Sequence, residues 1–153
     1  MAPLWKRCAE LKVPMTLLLP ASRLPDAAVW IEKNQDLDVV IDHMADIPPG
    51  DTKQLQLLLA LARYPRVFVK ISHMWSLSGK PFPYPDLTDN ILRLRDAFGS
   101  RRMMWGTDWP IVRERLSYSQ RVALYRDHLG FLSGTEREDI LYRTVQRVWP
   151  FGL

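Results

Sequence analysis

Apolar residues along this chain alternate between a helical period and short unbroken runs. Leu4, Cys8 and Leu11 share one stripe of a helix over Pro3–Lys12, with Pro3 near its first turn. Val13–Leu19 is a compact apolar run closed by Pro20, the pattern of a buried strand. Leu24, Ala28 and Ile31 predict a helix over Leu24–Asn34, and Leu37–Ile41 a second buried strand ending in Asp42-His43. After a loop at Asp46–Gly50, residues Leu55, Leu58, Leu59 and Ala62 follow the i, i+3, i+4, i+7 spacing of a helix over Thr52–Arg63, capped by Asp51 or Thr52. Arg66–Ile71 reads as the third strand, ending in Ser72-His73.

Trp75–Pro85, with Gly79, Pro81, Pro83 and Pro85 and three aromatics, is the longest irregular stretch, either a substrate wall or a packed surface loop. Leu87, Ile91, Leu94 and Phe98 line one face of a helix over Asp86–Phe98, which Gly99 ends. Arg102–Gly106 is the fourth strand; Gly106 permits a tight backbone passage and Pro110 stops the ladder. Ser117 and Gln120 have capping-box spacing at the start of a helix over Ser117–His128. Thr135 and Glu138 have the same spacing at the start of a last helix reaching about Trp149, stopped by Pro150. Alternating strands and helices predict an α/β fold with parallel strands and helices outside them. Four consecutive strand–helix units are half of a (β/α)8 barrel, a fold of about 250 residues, whereas the chain has 153.

At this length a single domain, 1–153, is expected. With 47% hydrophobic and 25% charged residues it can bury a core. No apolar run approaches the ~18 residues of a membrane span, and Met1–Cys8 shows no signal-peptide core. The one cysteine, Cys8, has no internal partner, which fits a reducing cytoplasm, and it is expected to pack as a small hydrophobe. The net charge of +4 raises the question of nucleic acid. Arg93, Arg95, Arg101, Arg102, Arg113 and Arg115 are scattered among helix faces and turns, without a Gly-rich RNA signature or a Cys/His finger. They read as solvated or ion-paired surface, so no nucleic-acid and no membrane partner is expected. Gly-rich phosphate loops, Cys-x-x-Cys pairs and a G-x-S-x-G elbow are all missing from the sequence.

Polar or ionisable groups close three of the four strands: Asp42-His43, Ser72-His73 and Asp108. Parallel strands open their C-terminal ends on one side, where α/β proteins bind ligands. His43 shares a strand face with Val39 and Ile41, and Asp108 with Met104 and Gly106; these registers permit a common mouth. Imidazole and carboxylate suit zinc, and equally suit general base work near neutral pH. Asp108 otherwise holds its own loop by an Asx-type turn, His73 caps a loop, and His128 interacts with a helix C-terminus. Asp42 either supports a site residue or bonds the following loop. Lys70, on the face of Phe68 and Ser72, either binds an anionic substrate or pairs with an acid.

Val39-Val-Ile-Asp-His-Met44, Val67-Phe-Val-Lys-Ile-Ser72, Arg102-Met-Met-Trp-Gly-Thr-Asp-Trp-Pro110 and Arg147-Val-Trp-Pro-Phe151 resemble, in this order, the C-terminal half of the amidohydrolase-related family. These are the amidohydrolase 2 TIM-barrel hydrolases, which include sugar-lactone and dicarboxylate-lactone hydrolases and some decarboxylases. The resemblance implies that the chain carries barrel strands five to eight with their helices. It implies that Asp108 is the last-strand aspartate, a metal ligand or the base on the attacking water. His43 is then the sixth-strand histidine, a metal ligand, base or substrate contact, and the metal is zinc or manganese. His73, Lys70, Trp75 and Trp109 are the further substrate-binding candidates.

The family's first-strand His-x-His pair has no counterpart here, and Val13–Pro20 carries no histidine, which tilts the reading towards the lactonase-like branch. The resulting expectation is a metal-assisted hydrolase of a lactone or related carboxylic ester or amide. The alternative is a catalytically incomplete, metal-free half-barrel. Such a half would expose two strand edges and an inner apolar face and associate with a second copy or a complementary chain.

Overall fold

The computed structural model describes residues 2–111 and 116–150. Helix α1 (Ala2–Leu11) leads into β1 (Met15–Leu17), followed by α2 (Leu24–Lys33) and β2 (Val39–Ile41). Helix α3 (Thr52–Leu59) tightens into a 3-10 turn at Ala60–Arg63 before β3 (Val67–Ile71). The short α4 (Met74–Leu77), α5 (Thr88–Phe98), β4 (Met103–Trp105) and α6 (Tyr118–Asp127) come next. The last helix consists of α7 (Gly134–Glu138), a π-helical turn at Asp139–Arg143 and α8 (Thr144–Val148).

All four strands are parallel and pair in chain order, β1-β2-β3-β4, with Met15 opposite Val39, Val39 opposite Val67 and Val69 opposite Met103. The ladders are shorter than the apolar runs that signalled them. Around β1, Pro14 and Pro20 have no N–H to donate and bracket the pairing. Val39, Ile41, Val67, Val69, Ile71 and Met103 face the helices in the main core, where Trp5, Leu24, Leu55, Ile91, Leu94 and Leu124 meet them. Such two-sided burial explains why these strands read as continuous apolar runs.

The opposite, inner face departs from the expectation of an open apolar surface. Val40, Phe68 and Met104 are buried beneath Val148, with Trp149 packed against them. The chain's own C-terminal helix therefore floors this face, because an uncovered row of large apolar side chains is unfavourable in water. The outer edges of β1 and β4 carry no partner strand among the described residues.

Local chemistry sets several boundaries. Asp51 caps α3 by accepting from the Gln54 backbone N–H at 2.9 Å. Ser117 and Gln120 form the expected reciprocal capping box. The second box uses Ser133 and Glu136 rather than Thr135 and Glu138, since Ser133 has the extended backbone a cap requires. Gly99 ends α5 at φ 74°, ψ 150°, a conformation open to glycine. The Trp75–Pro85 stretch is not wholly irregular: it begins inside α4 and is then tied down by Asp86, which accepts from Ser78 Oγ and from the Gly79 N–H at 2.9 Å. Cys8 is half-buried against the core, as expected of a small hydrophobe. Arg95 pairs with Asp96 and Arg102 donates to the carbonyls of Phe98, Ala62 and Tyr64. Arg113 and Arg115 lie outside the described residues.

Helix α1 ends in a Schellman arrangement: Val13 N–H reaches Cys8 O at 2.9 Å and Lys12 N–H reaches Ala9 O at 3.2 Å. This puts Lys12 at φ 54°, where a Cβ is unfavourable. Lys12→Gly is expected to stabilise the protein by about 1 kcal/mol, raising the thermal midpoint by ~2–4 °C. A lowered midpoint in calorimetry would contradict this account of the helix end.

Candidate metal and acid–base site

Three strand ends converge here through unusual backbone. Strand alternation would put His43 on the helix side of the sheet with Val39 and Ile41. Instead the chain enters a left-handed turn immediately after Asp42, with His43, Met44, Ala45 and Asp46 at φ of 52°, 52°, 54° and 55°. Met44 and Ala45 are fully buried and hold the turn. His73, two residues past β3, sits at φ 62°, and Asp108, three past β4, at φ 58°. None of the three is glycine, so each position is held against its own steric preference.

The result is a compact cluster. His73 Nδ1 donates to Asp108 Oδ2 at 2.5 Å, and His43 Nε2 stands 3.9 Å from Asp108 Oδ1. The imidazole rings lie 4.7 Å apart, centre to centre. His43 Nδ1 and Ser72 Oγ are 2.8 Å apart. Trp75 packs on His73 with a ring separation of 4.4 Å, and its buried indole Nε1 has no partner among the described residues. One ligating atom from each of His43, His73 and Asp108 lies within 4.8 Å of the other two.

Around this cluster the other candidate side chains make the following contacts. The Asp108 carboxylate turns to His73 rather than to its own loop. Lys70 pairs with Asp42 at 2.5 Å. His128 is the C-cap of α6, its N–H on Leu124 O and its ring edge-on to Phe82. Trp109 is 48% exposed and contacts Tyr118 and the Arg121 guanidinium.

Two supports were not singled out from the sequence. Arg121, buried in α6, donates to the carbonyls of Leu116 at 3.2 Å and of Thr107 and Ile111 at 2.5 Å, pinning the loop that carries Asp108. Tyr125 is enclosed one turn further on, and its hydroxyl reaches Ile71 O at 2.7 Å and Gly106 O at 3.1 Å, joining the exits of β3 and β4. Burial pushes the Tyr125 phenol far above its ordinary range, so it stays a donor. Arg121, Leu124 and Tyr125 fall on one helical stripe, and an arginine in line with those two large side chains was the available signal. Gly106 permits the strand exits to approach: a Cβ there would stand 3.1 Å from Lys70 Cδ and 3.3 Å from Ser72 Cβ.

The Amidohydro_2 family model, described as amidohydrolase, matches residues 2–151. The chain belongs to the amidohydrolase family. An L-fucono-1,5-lactonase from Burkholderia ambifaria is 32% identical over 102 residues, 63% of this amidohydrolase and 34% of that protein. A structure of a candidate 2-pyrone-4,6-dicarboxylic acid hydrolase from Pseudomonas putida superposes with TM-score 0.87 at 26% identity, covering 99% of this chain and 57% of that one. A zinc-bound amidohydrolase from Burkholderia multivorans gives TM-score 0.81 at 23% identity over 97% of this chain and 57% of its own. The chain therefore spans little more than half the length of these solved relatives, and its fold is the C-terminal half of a (β/α)8 barrel. No helix among the described residues is long and apolar enough to cross a membrane.

Burial holds the His43 imidazole below its ordinary pKa, aided by His73; Asp42, Asp108 and Asp46 oppose it. A group whose folded pKa is depressed binds its proton more readily when unfolded. Its neutral form stabilises the fold fully above about pH 6.5, and that contribution is lost as pH falls towards the lower folded value. Stability from denaturant titrations is expected to decline on acidification below that point, with a shallower decline in His43→Gln. Identical pH profiles for the two proteins would remove His43 as the titrating group.

Proposed function

We propose that this amidohydrolase is a metal-assisted hydrolase of a lactone or related carboxylic ester or amide. The observation that carries the reading is the convergence of His43, His73 and Asp108 at the mouth of the sheet. Imidazole and carboxylate suit zinc or manganese, and so small a set of protein ligands leaves positions for water and substrate. The bound zinc of the Burkholderia multivorans relative and the lactonase named from Burkholderia ambifaria support it.

Asp108, with one or both histidines, would hold the ion. Bound there, a divalent metal would acidify a water and polarise a carbonyl. Asp108 is either a ligand or the acceptor of the attacking water's proton, and its short contact with His73 keeps it oriented. His43 faces the same space and would orient or hydrogen-bond the substrate. Trp75 would wall the mouth through its packing on His73, with Trp109 further out on the Asp108 loop. Lys70 would attract a substrate carboxylate in competition with Asp42.

A second reading, a half-barrel that acts only when completed by a second copy or a complementary chain, is favoured by the open edge of β1. Val13 and Leu18 flank that strand at 49% and 68% exposure.

Asp108→Asn keeps the size and tolerates the backbone of this position. Turnover of a sugar 1,5-lactone is expected to fall about 10³-fold or more, with bound metal reduced and the melting midpoint little changed. Turnover retained in this variant would remove Asp108 from the chemistry. Wild-type protein that binds zinc stoichiometrically but hydrolyses no lactone would favour the incomplete half-barrel.

A further inference from the structure

We propose that Ser72 is a positioning residue that fixes the tautomer of His43 opposite to the one Asp108 gives His73, so that His43 presents an N–H to the mouth and His73 a lone pair. A neutral imidazole has one N–H and one lone pair, and its partners decide which nitrogen carries which. The partner of His73 Nδ1 is a carboxylate oxygen 2.5 Å away, which accepts. Nδ1 therefore holds the proton and Nε2 is left free. A histidine whose second nitrogen donates to a carboxylate is oriented as metal-binding histidines are.

His43 is arranged in the reverse sense. Its Nδ1 faces Ser72 Oγ at 2.8 Å. Ser72 is fully buried, and its side chain has this one hydrogen-bond partner among the described residues. The hydroxyl carries a single proton. Given to Nδ1, that proton is satisfied; kept away from it, a buried donor is stripped of water with nothing in exchange. Nδ1 thus accepts, and the imidazole's own proton resides on Nε2. The other edge of the ring agrees. Nε2 lies 3.9 Å from Asp108 Oδ1, where an N–H meets the carboxylate with favourable sign and a lone pair would meet it with like charge. Full burial also removes Ser72 from consideration as a nucleophile, although serine, histidine and aspartate stand in a row. Residue 72 thereby distinguishes the roles of two imidazoles whose rings are 4.7 Å apart.

The assignment of roles rests on the hydrolase reading above; the tautomers themselves do not. Long-range ¹H–¹⁵N correlation spectra of ¹⁵N-histidine-labelled protein at neutral pH, without metal, read them directly. The chain has three histidines, and His128, exposed at the end of α6, is the internal reference. The expected pattern is protonated Nε2 on His43, assigned by its loss in His43→Gln, and protonated Nδ1 on His73. In Ser72→Ala the His43 signals move from one tautomer to a mixture while those of His73 stay in place; Ser72→Thr, which keeps the hydroxyl, retains the wild-type pattern. Zinc added to wild-type protein shifts His73 Nε2 and leaves the His43 Nε2 proton in place. A wild-type His43 protonated on Nδ1, or zinc displacing its Nε2 proton, would overturn the proposal, and the wild-type spectrum decides this even where Ser72→Ala does not fold. Zinc without effect on either ring, with both tautomers as expected, would refute the metal centre and still uphold the part assigned to Ser72.

Discussion

His43, His73 and Asp108 each sit at positive φ, at 52°, 62° and 58°, and only through that backbone do their side chains meet. Left-handed conformation costs an ordinary residue on the order of 1–2 kcal/mol. The surrounding structure must impose it, and it does so differently at each position. At His43 the turn continues through Met44 and Ala45, whose complete burial ties it to the core. At His73 the strand exit is fixed by the Tyr125 hydroxyl on Ile71 O, one residue before Ser72. At Asp108 the guanidinium of Arg121 gathers the carbonyls on both sides of the loop. Helix α6 thus supplies both braces, and its Arg121 and Tyr125 govern the geometry of the mouth.

Much of this was legible in the sequence and some was not, for identifiable reasons. Apolar runs bounded by Pro14, Pro20 and Gly99 gave the strand and helix order, because parallel strands are buried on both faces and cannot disguise themselves as polar. Polar groups at strand ends marked the mouth, since an acid such as Asp108 after the buried Met103–Trp105 needs a partner. The side on which His43 would emerge was hidden. Alternation is a property of extended backbone, and a left-handed turn at a non-glycine residue leaves no compositional trace. Arg121 was hidden for a related reason: among the described residues its partners are backbone carbonyls, which no acidic residue in sequence announces. The floor made by Val148 beneath Val40, Phe68 and Met104 is a contact across the whole chain, which periodicity does not reach.

The inner face is graded from that floor to the mouth, and the gradation bears on how the site would work. Along β3 and its exit the residues facing inward run from Phe68 to Lys70; along β2 from Val40 to Asp42; along β4 from Met104 through Gly106 to Asp108. The lowest layer is apolar and closed by Val148. The middle layer is an ion pair, Lys70 with Asp42, which neutralises itself at 2.5 Å. The histidines and Asp108 form the uppermost layer. The apolar floor closes the cluster from below, while Lys70 and Asp42 keep side-chain exposures of 24% and 14%, so solvent partly screens their attraction. Asp42 immediately precedes His43, and its pairing with Lys70 fixes the residue at which the left-handed turn begins. The same pair that looks like an isolated internal salt bridge therefore anchors the start of the strained turn, while Gly106, by letting β4 pass within van der Waals reach of Lys70 and Ser72, keeps the whole middle layer thin enough for the three strand ends to converge.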